Sequence, residues 1–226
     1  VRDPNQKIAM SKSGGTAKLE SCIRSDGSAA HPYADSLLAA PHIANAADSA
    51  DVSHFFCLLH GHLPSVFDHA LGHSADPDMR TWLIKAADDF AQERAFLTKL
   101  TVAAGPIAST AGQDQCNALV LEASNALAML AQSEREGCAF GAAIALASDW
   151  HIIRRIMDNI ALKVSTESPP LQLSEQGTNF ALLSKLAGDK AIYRAIHFGM
   201  TQMLAQHRAI WDLMGSRRDC RNSADS

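Results

Sequence analysis

The sequence predicts an all-α protein, a multi-helix bundle of four long helices with shorter N-terminal and connecting helices. Three observations carry that prediction. Apolar residues recur at a helical period through four long segments; glycine and proline fall at segment ends, as in Gly105-Pro106; and no alternating β-branched run of strand length occurs anywhere. A chain of 226 residues suits one domain, burying about 70–75% of the unfolded surface. Its organisation reads as a flexible segment at 1–47, a bundle at 48–215 and a flexible tail at 216–226.

Residues 1–47 carry Ser13-Gly14-Gly15-Thr16, Asp26-Gly27-Ser28, Pro32 and Pro41 with few large apolar side chains. They predict an arm with a short helical turn near Ser36–Ala40, ordered only if it docks on the body. Asp48 or Asp51 then caps a short apolar helix through Val52–His60 that stops at Gly61. Pro64 opens a further short helix as a first-turn proline, ending before Gly72. Asp76-Pro77-Asp78 starts a strongly periodic helix closed by Gly105-Pro106, and a helix from about Gln113 to Gln132 follows. A tight corner near Glu136-Gly137 leads into a central helix that runs to Val164. Pro169-Pro170 demands a loop; Ser174-Glu175 begins a shorter helix to Ala187. Gly188-Asp189 caps a last long helix from Lys190 to Met214.

The charge balance of 20 basic against 24 acidic residues gives a net charge of -4. Neither sign dominates, so neither nucleic acid nor an anionic membrane is indicated as a partner. Five dispersed cysteines without a C-x-x-C pair suit a reducing cytoplasm. The absence of a long apolar run or a signal-like start agrees with a cytoplasmic location.

Five of the ten histidines, His54, His60, His62, His69 and His73, lie within twenty residues. His69 and His73 stand at i and i+4, a spacing that chelates a divalent metal when a third ligand completes the shell; their other account is a capping or surface role, since no Glu stands beside the pair and Gly72 can end the helix before His73. A heptad-like stripe laid on each long helix puts one ionisable group among apolar neighbours: Glu93, Glu122, Asp149 and His207. A lone charge inside a bundle is costly unless it is paired or bound, so these four are candidate ligand-binding residues. The Glu-x-x-His spacing of a carboxylate-bridged metal site is missing, since Phe96 follows Glu93 and Asn125 follows Glu122. Their other account is pairing with Arg94, Arg154, Arg155 or Arg194. Cys138 near Glu134 and Glu136 reads as a packing thiol rather than a nucleophile. On the last helix, Arg194, His197, Gln202, Gln206, His207 and Arg208 stand among Tyr193, Phe198 and Trp211, a pattern of a ligand pocket or of an ordinary amphipathic helix.

The stretches Ala104-Gly105-Pro106-Ile107, Glu134-Arg135-Glu136-Gly137-Cys138-Ala139-Phe140-Gly141-Ala142-Ala143, Ser148-Asp149-Trp150-His151-Ile152-Ile153-Arg154, Arg194-Ala195-Ile196-His197-Phe198-Gly199 and Gln206-His207-Arg208-Ala209-Ile210-Trp211 resemble an alphaproteobacterial all-helical family of unknown function. The resemblance covers residues 52–215 and implies no activity. The order of helices is also similar to the haem oxygenase and thiaminase-II type of fold. That similarity implies either a proximal histidine for haem, with His54, His60 or His69 as options, or a pocket cysteine with acid and tyrosine partners. The expected function is a non-enzymatic helical protein that binds a small-molecule ligand or a protein, with a homodimer as one form. The alternative is an oxygenase or thiaminase-like enzyme with a metal, haem or small-molecule site inside the bundle; the cofactor is left open.

Overall fold

The computed structural model describes residues 4–41, 44–110, 112–186 and 189–224. Among them are α1 (Pro4–Asp26), a 3₁₀ turn (Ser28–Ala30), α2 (Pro32–Ala39), α3 (Ala46–His60), α4 (Val66–Gly72), α5 (Pro77–Ala104), α6 (Gln113–Ala131), α7 (Cys138–Lys163), α8 (Gln176–Leu186) and α9 (Lys190–Ala224). No strand occurs among the described residues, and no helix there is long and apolar enough to cross a membrane.

Local chemistry sets the element ends. Asn45 caps α3 by accepting from Asp48 N at 2.8 Å while Asp48 Oδ2 accepts from Asn45 N at 3.2 Å. Asp48 is therefore the third residue of a capping box, and neither it nor Asp51 is the N-cap expected from sequence. Ser65 and Asp68 form the same box on α4, which leaves Pro64 just ahead of the helix instead of in its first turn. Asp76 Oδ1 caps α5 through Met79 N at 2.9 Å, Pro77 occupies the first turn, and Gly105 closes the helix as expected. Asp189 Oδ1 accepts from Ala191 N at 2.6 Å at the start of α9; Gly188, its expected partner in that cap, lies outside the described residues.

Helix α7 is the axis of the core. Every residue from Cys138 to Trp150 is buried, because α7 is covered by α9 along its length and by α4, α5 and α6 elsewhere. The α7–α9 seam is a close backbone approach. A Cβ on Gly199 would stand 2.0 Å from Cys138 O, and one on Gly141 would stand 2.2 Å from Ile196 O, so only glycine fits at either position.

Both chain ends differ from the arms expected. Leu19, Ile23, Tyr33 and Leu37 are buried in the same core as α7 and α9, which makes the chain from 16 to 40 part of the body and α1 a fifth long helix. The physical reason is docking: α1 lies against α9 and α8, with Leu19, Cys22 and Ile23 buried. Helix α9 continues through Gly215 to Ala224. Its last turns are held by α3, with Arg217 Nε donating to Asp51 Oδ2 at 3.1 Å, Arg221 Nη1 to Asp51 Oδ2 at 2.6 Å, Arg221 Nη2 to Asp48 Oδ1 at 2.7 Å and Arg218 Nη2 to Asp48 Oδ2 at 3.0 Å.

Candidate functional site

Of the four stripe residues, the structure brings two together. His207, one face of α9, puts Nδ1 at 2.7 Å from Asp149 Oδ2 on α7. The 3₁₀ turn after α1 completes the clasp: Ser28 N donates to Asp149 Oδ1 at 2.7 Å and Ser28 Oγ to Asp149 Oδ2 at 2.6 Å. Trp211, one turn beyond His207, donates its indole N–H to Ser28 Oγ at 2.8 Å. On the other side, His207 Nε2 lies 2.9 Å from His60 Nε2 at the end of α3. Five side chains from four elements thus form one continuous hydrogen-bonded chain, Trp211–Ser28–Asp149–His207–His60.

That chain is dry. Ser28, His207 and Trp211 are fully buried and Asp149 is 2% exposed. Aromatic rings wall it in: Phe56 sits 4.9 Å from Trp211 and 5.9 Å from His207, and Trp150 stands edge-on to His60 at 5.6 Å. Burial holds the His60 imidazole well below its ordinary pKa, with His207 and His62 pushing the same way, so His60 is neutral. Asp149 is met by three donors. Three of the four acceptor positions of its carboxylate are filled, leaving one on Oδ1.

The chain joins two hollows. Asp149 borders a pocket of about 420 Å³ together with Glu20, Ile23, Arg24, Ala29, Ser148, Ile152 and Phe180, between α1, α7 and α8. His60 lines a much smaller cavity, about 20 Å³, with His62, Ser65, His69, Ser124 and apolar neighbours. The first has the size of a small-molecule site and the second that of a water or two.

Glu93 belongs to a separate cluster. Its two oxygens accept from Arg154 Nη1 at 2.7 and 2.9 Å, and Oε2 also accepts from Trp150 Nε1 at 2.9 Å. Burial raises its carboxyl, Trp150 and Arg154 pulling it back down. Arg154 is further spent on Asp158, Ser168 and the Pro169 carbonyl, so this is a buried structural ion pair with no free valence. Glu122 is exposed on α6. Its stripe position falls outside the core because α6 is covered on one narrow face only, through Val120, Ala123, Ser124, Leu127 and Ala131.

The histidine pair also separates. His69 lines the His60 cavity, whereas His73 is exposed beyond the end of α4 and borders a different hollow near the α6–α7 corner. Among the described residues no group of three or more His, Cys, Asp or Glu side chains is arranged to hold a metal ion. Cys138 is buried at the α7–α9 crossing, a packing position. Phe198, Gln202 and Gln206 line an open groove of about 310 Å³ with Met129 and Leu130 of α6; His207 points the other way, into the core.

The model of the family described as "Family of unknown function (DUF6975)" matches residues 23–222, nearly the whole chain. The chain belongs to this family. The match takes in Ser28, His60, Asp149, His207 and Trp211 together. No curated protein and no solved structure matches the chain. Membership in DUF6975 therefore carries no activity with it, and the site's own geometry is what bears on function.

Of the residues in the hydrogen-bonded chain, the sequence pattern missed Ser28 and named His60 only as one of a cluster of histidines and as a haem option. Ser28 stands in Asp26-Gly27-Ser28, which reads as a turn, and nothing distinguishes His60 from its four neighbours. One signal pointed to a partner such as Ser28: Trp211 shares the buried stripe of His207, and a buried indole N–H needs an acceptor.

Proposed function

We propose that this DUF6975 protein binds a small organic molecule in the pocket between α1, α7 and α8. The observation that carries the reading is a pocket of about 420 Å³ bordered by Asp149, a buried, preorganised carboxylate with one acceptor position unfilled. Ile23, Ile152 and Phe180 offer an apolar wall, while Glu20 and Arg24 stand with Asp149 as the charged groups. Two carboxylates against one guanidinium favour a ligand whose apolar body ends in an ammonium or another hydrogen-bond donor.

No observation favours the oxygenase or thiaminase-like alternative. His60 gives Nε2 to His207 and His54 gives Nε2 to Gly105 O at 2.7 Å, contacts that the core itself accounts for. Cys138, the one candidate for a thiaminase-like nucleophile, is sealed in the helix crossing.

The test is an amide NMR titration with phenethylamine, isoamylamine and, as the charge-reversed control, phenylacetate. Saturable shifts at Ile23, Ser148, Ile152 and Phe180 with the amines, absent with phenylacetate and lost in Asp149→Asn, are expected. Saturable binding confined to the α6–α9 groove, or amine binding unchanged in Asp149→Asn, would overturn the reading.

A further inference from the structure

The direction of every hydrogen bond in the buried chain follows from one charge. An ionised Asp149 only accepts, so His207 carries its proton on Nδ1. Its Nε2 is then a lone pair, and the 2.9 Å contact requires His60 to carry its proton on Nε2. That leaves His60 Nδ1 bare. No hydrogen bond to it occurs among the described residues; the cavity with His62, Ser65, His69 and Ser124 is the space that His60 borders.

We propose that Asp149, His207 and His60 form a proton relay between the His60 cavity and the buried His207–Asp149 pair, with His60 Nδ1 as its port and the His60 cavity as a binding site for a small proton donor such as water or an ammonium group. A proton accepted by the His60 Nδ1 lone pair releases the His60 Nε2 proton to the His207 Nε2 lone pair. His60 stays neutral in the other tautomer, and the charge comes to rest on a His207 imidazolium against Asp149. The reverse transfer returns it. A proton thus moves from the His60 cavity to the His207–Asp149 pair without a free imidazolium at His60, whose aromatic surroundings oppose a charge there.

The groups that surround the port fit the task. His62 and His69 border the cavity, His62 exposed and His69 half-buried. Asp68 and Arg94 lie beyond them on α4 and α5, Arg94 against the Phe90 ring that faces His60. Glu93 and Arg154 are satisfied by one another behind Trp150. The coupling to ligand rests on the pocket proposed above: a cationic ligand on Asp149 Oδ1 disfavours the His207 imidazolium, so binding would expel a proton through His60. The relay itself exists without ligand.

Nitrogen-15 imidazole NMR of the free protein at neutral pH reads it directly. Wild type is expected to show His207 protonated on Nδ1 and His60 on Nε2. In Asp149→Asn the amide oxygen stays on Ser28 N–H, which turns the amide NH₂ toward His207; both imidazoles then exchange tautomers, and His60 Nδ1–H appears although residue 149 does not touch His60. A wild-type His60 protonated on Nδ1, or a His60 unchanged while His207 switches, would overturn the relay. Should Asp149→Asn fail to fold, the wild-type pH titration decides: His60 must change tautomer in step with protonation of His207, and an imidazolium at His60 sinks the proposal. None of these readings involves a ligand, so failure of the amines to bind leaves them standing.

Discussion

Gly27→Ala tests whether the clasp on Asp149 is as tight as its geometry says. Gly27 has an ordinary backbone conformation, φ −75°, so alanine meets no torsional objection there and any effect is steric. Its Cβ would lie 2.4 Å from Ile23 O and 2.9 Å from Asp149 Oδ1. Neither neighbour can yield cheaply, since Ile23 O is α1 backbone that already accepts from Gly27 N at 2.9 Å and Asp149 is held by Ser28 and His207. Overpacking of this kind costs about 1–3 kcal/mol. Displacing the turn also lengthens the Ser28 bonds of 2.7 and 2.6 Å to the carboxylate, and a hydrogen bond to a charged group is worth about 1.5–3 kcal/mol. Loss of one such bond brings the expected penalty to about 2.5–6 kcal/mol, a large part of the 5–15 kcal/mol or so that a domain of this kind holds in reserve. Urea unfolding followed by far-ultraviolet circular dichroism measures it. Gly177→Ala is the control: it lies in α8, a Cβ there meets nothing within 4 Å, and helix propensity predicts a gain of up to about 1 kcal/mol. A Gly27→Ala protein within about 0.5 kcal/mol of wild type, the range of an ordinary surface change, would refute the tight clasp and with it the preorganised carboxylate.

Three further outcomes follow from other parts of the molecule. Arg154→Met strands Glu93 in the core and should cost about 3–5 kcal/mol in the same unfolding assay, whereas Glu93→Gln with Arg154→Met, which keeps an acceptor for Trp150, should recover most of that loss. Ending the chain after Gly215 removes Arg217, Arg218 and Arg221 and leaves Asp48 and Asp51 buried without cations; two such losses at about 3 kcal/mol or more each should abolish cooperative unfolding at ambient temperature, and a truncated protein of wild-type stability would show that α9 frays beyond Gly215 after all. His60, neutral in the fold but protonated in the unfolded chain below about pH 6.5, makes the native state bind fewer protons: stability is complete above that pH and falls as pH drops toward the depressed native pKa, at up to about 1.4 kcal/mol per pH unit. The difference between wild type and His60→Gln, measured at pH 7.5, 6.5 and 5.5, isolates that slope, and identical slopes would show that His60 is not desolvated.

What the sequence revealed and what it hid divide along the range of the forces involved. The ends of α5 at Pro77 and Gly105 and the corner before Cys138 were legible because proline, glycine and capping side chains act on their own turn. Helix α1 was not, since Gly14-Gly15 interrupts its pattern and its helix is supported by docking on α9. The reach of α9 past Gly215 was hidden for a similar reason: its arginines look like a solvated tail until Asp48 and Asp51, some 170 residues away in the chain, are known to face them. Asp149 and His207 stood out as polar residues on apolar stripes, while periodicity alone could not tell them from Glu93, whose partner is Arg154, or from Glu122, which faces solvent. Ser28 is 121 residues from Asp149 and His60 is 147 from His207; such pairings are set by packing, and no local pattern records them.

Buried polar networks are common in cores as devices of specificity, and such a network needs only to be satisfied within itself. The Glu93–Arg154 cluster has that character, with the donors of Arg154 spent on Glu93, Asp158, Ser168 and the Pro169 carbonyl. The Asp149 chain differs at both ends. One acceptor position of Asp149 Oδ1 is unfilled in a residue that borders a ligand-sized pocket, and the far end stops at an unpaired ring nitrogen of a residue that borders a second cavity. A chain meant only to specify the fold would be more stable with those ends closed, for instance by a backbone N–H over Oδ1 and a carbonyl against His60. The close α7–α9 seam argues the same way: Gly141 and Gly199 draw the two backbones together, and the core they create holds an acid and a histidine in contact where two apolar side chains would have filled the space without desolvating any charge. Open ends and a retained desolvation cost together favour a chain kept for what passes along it.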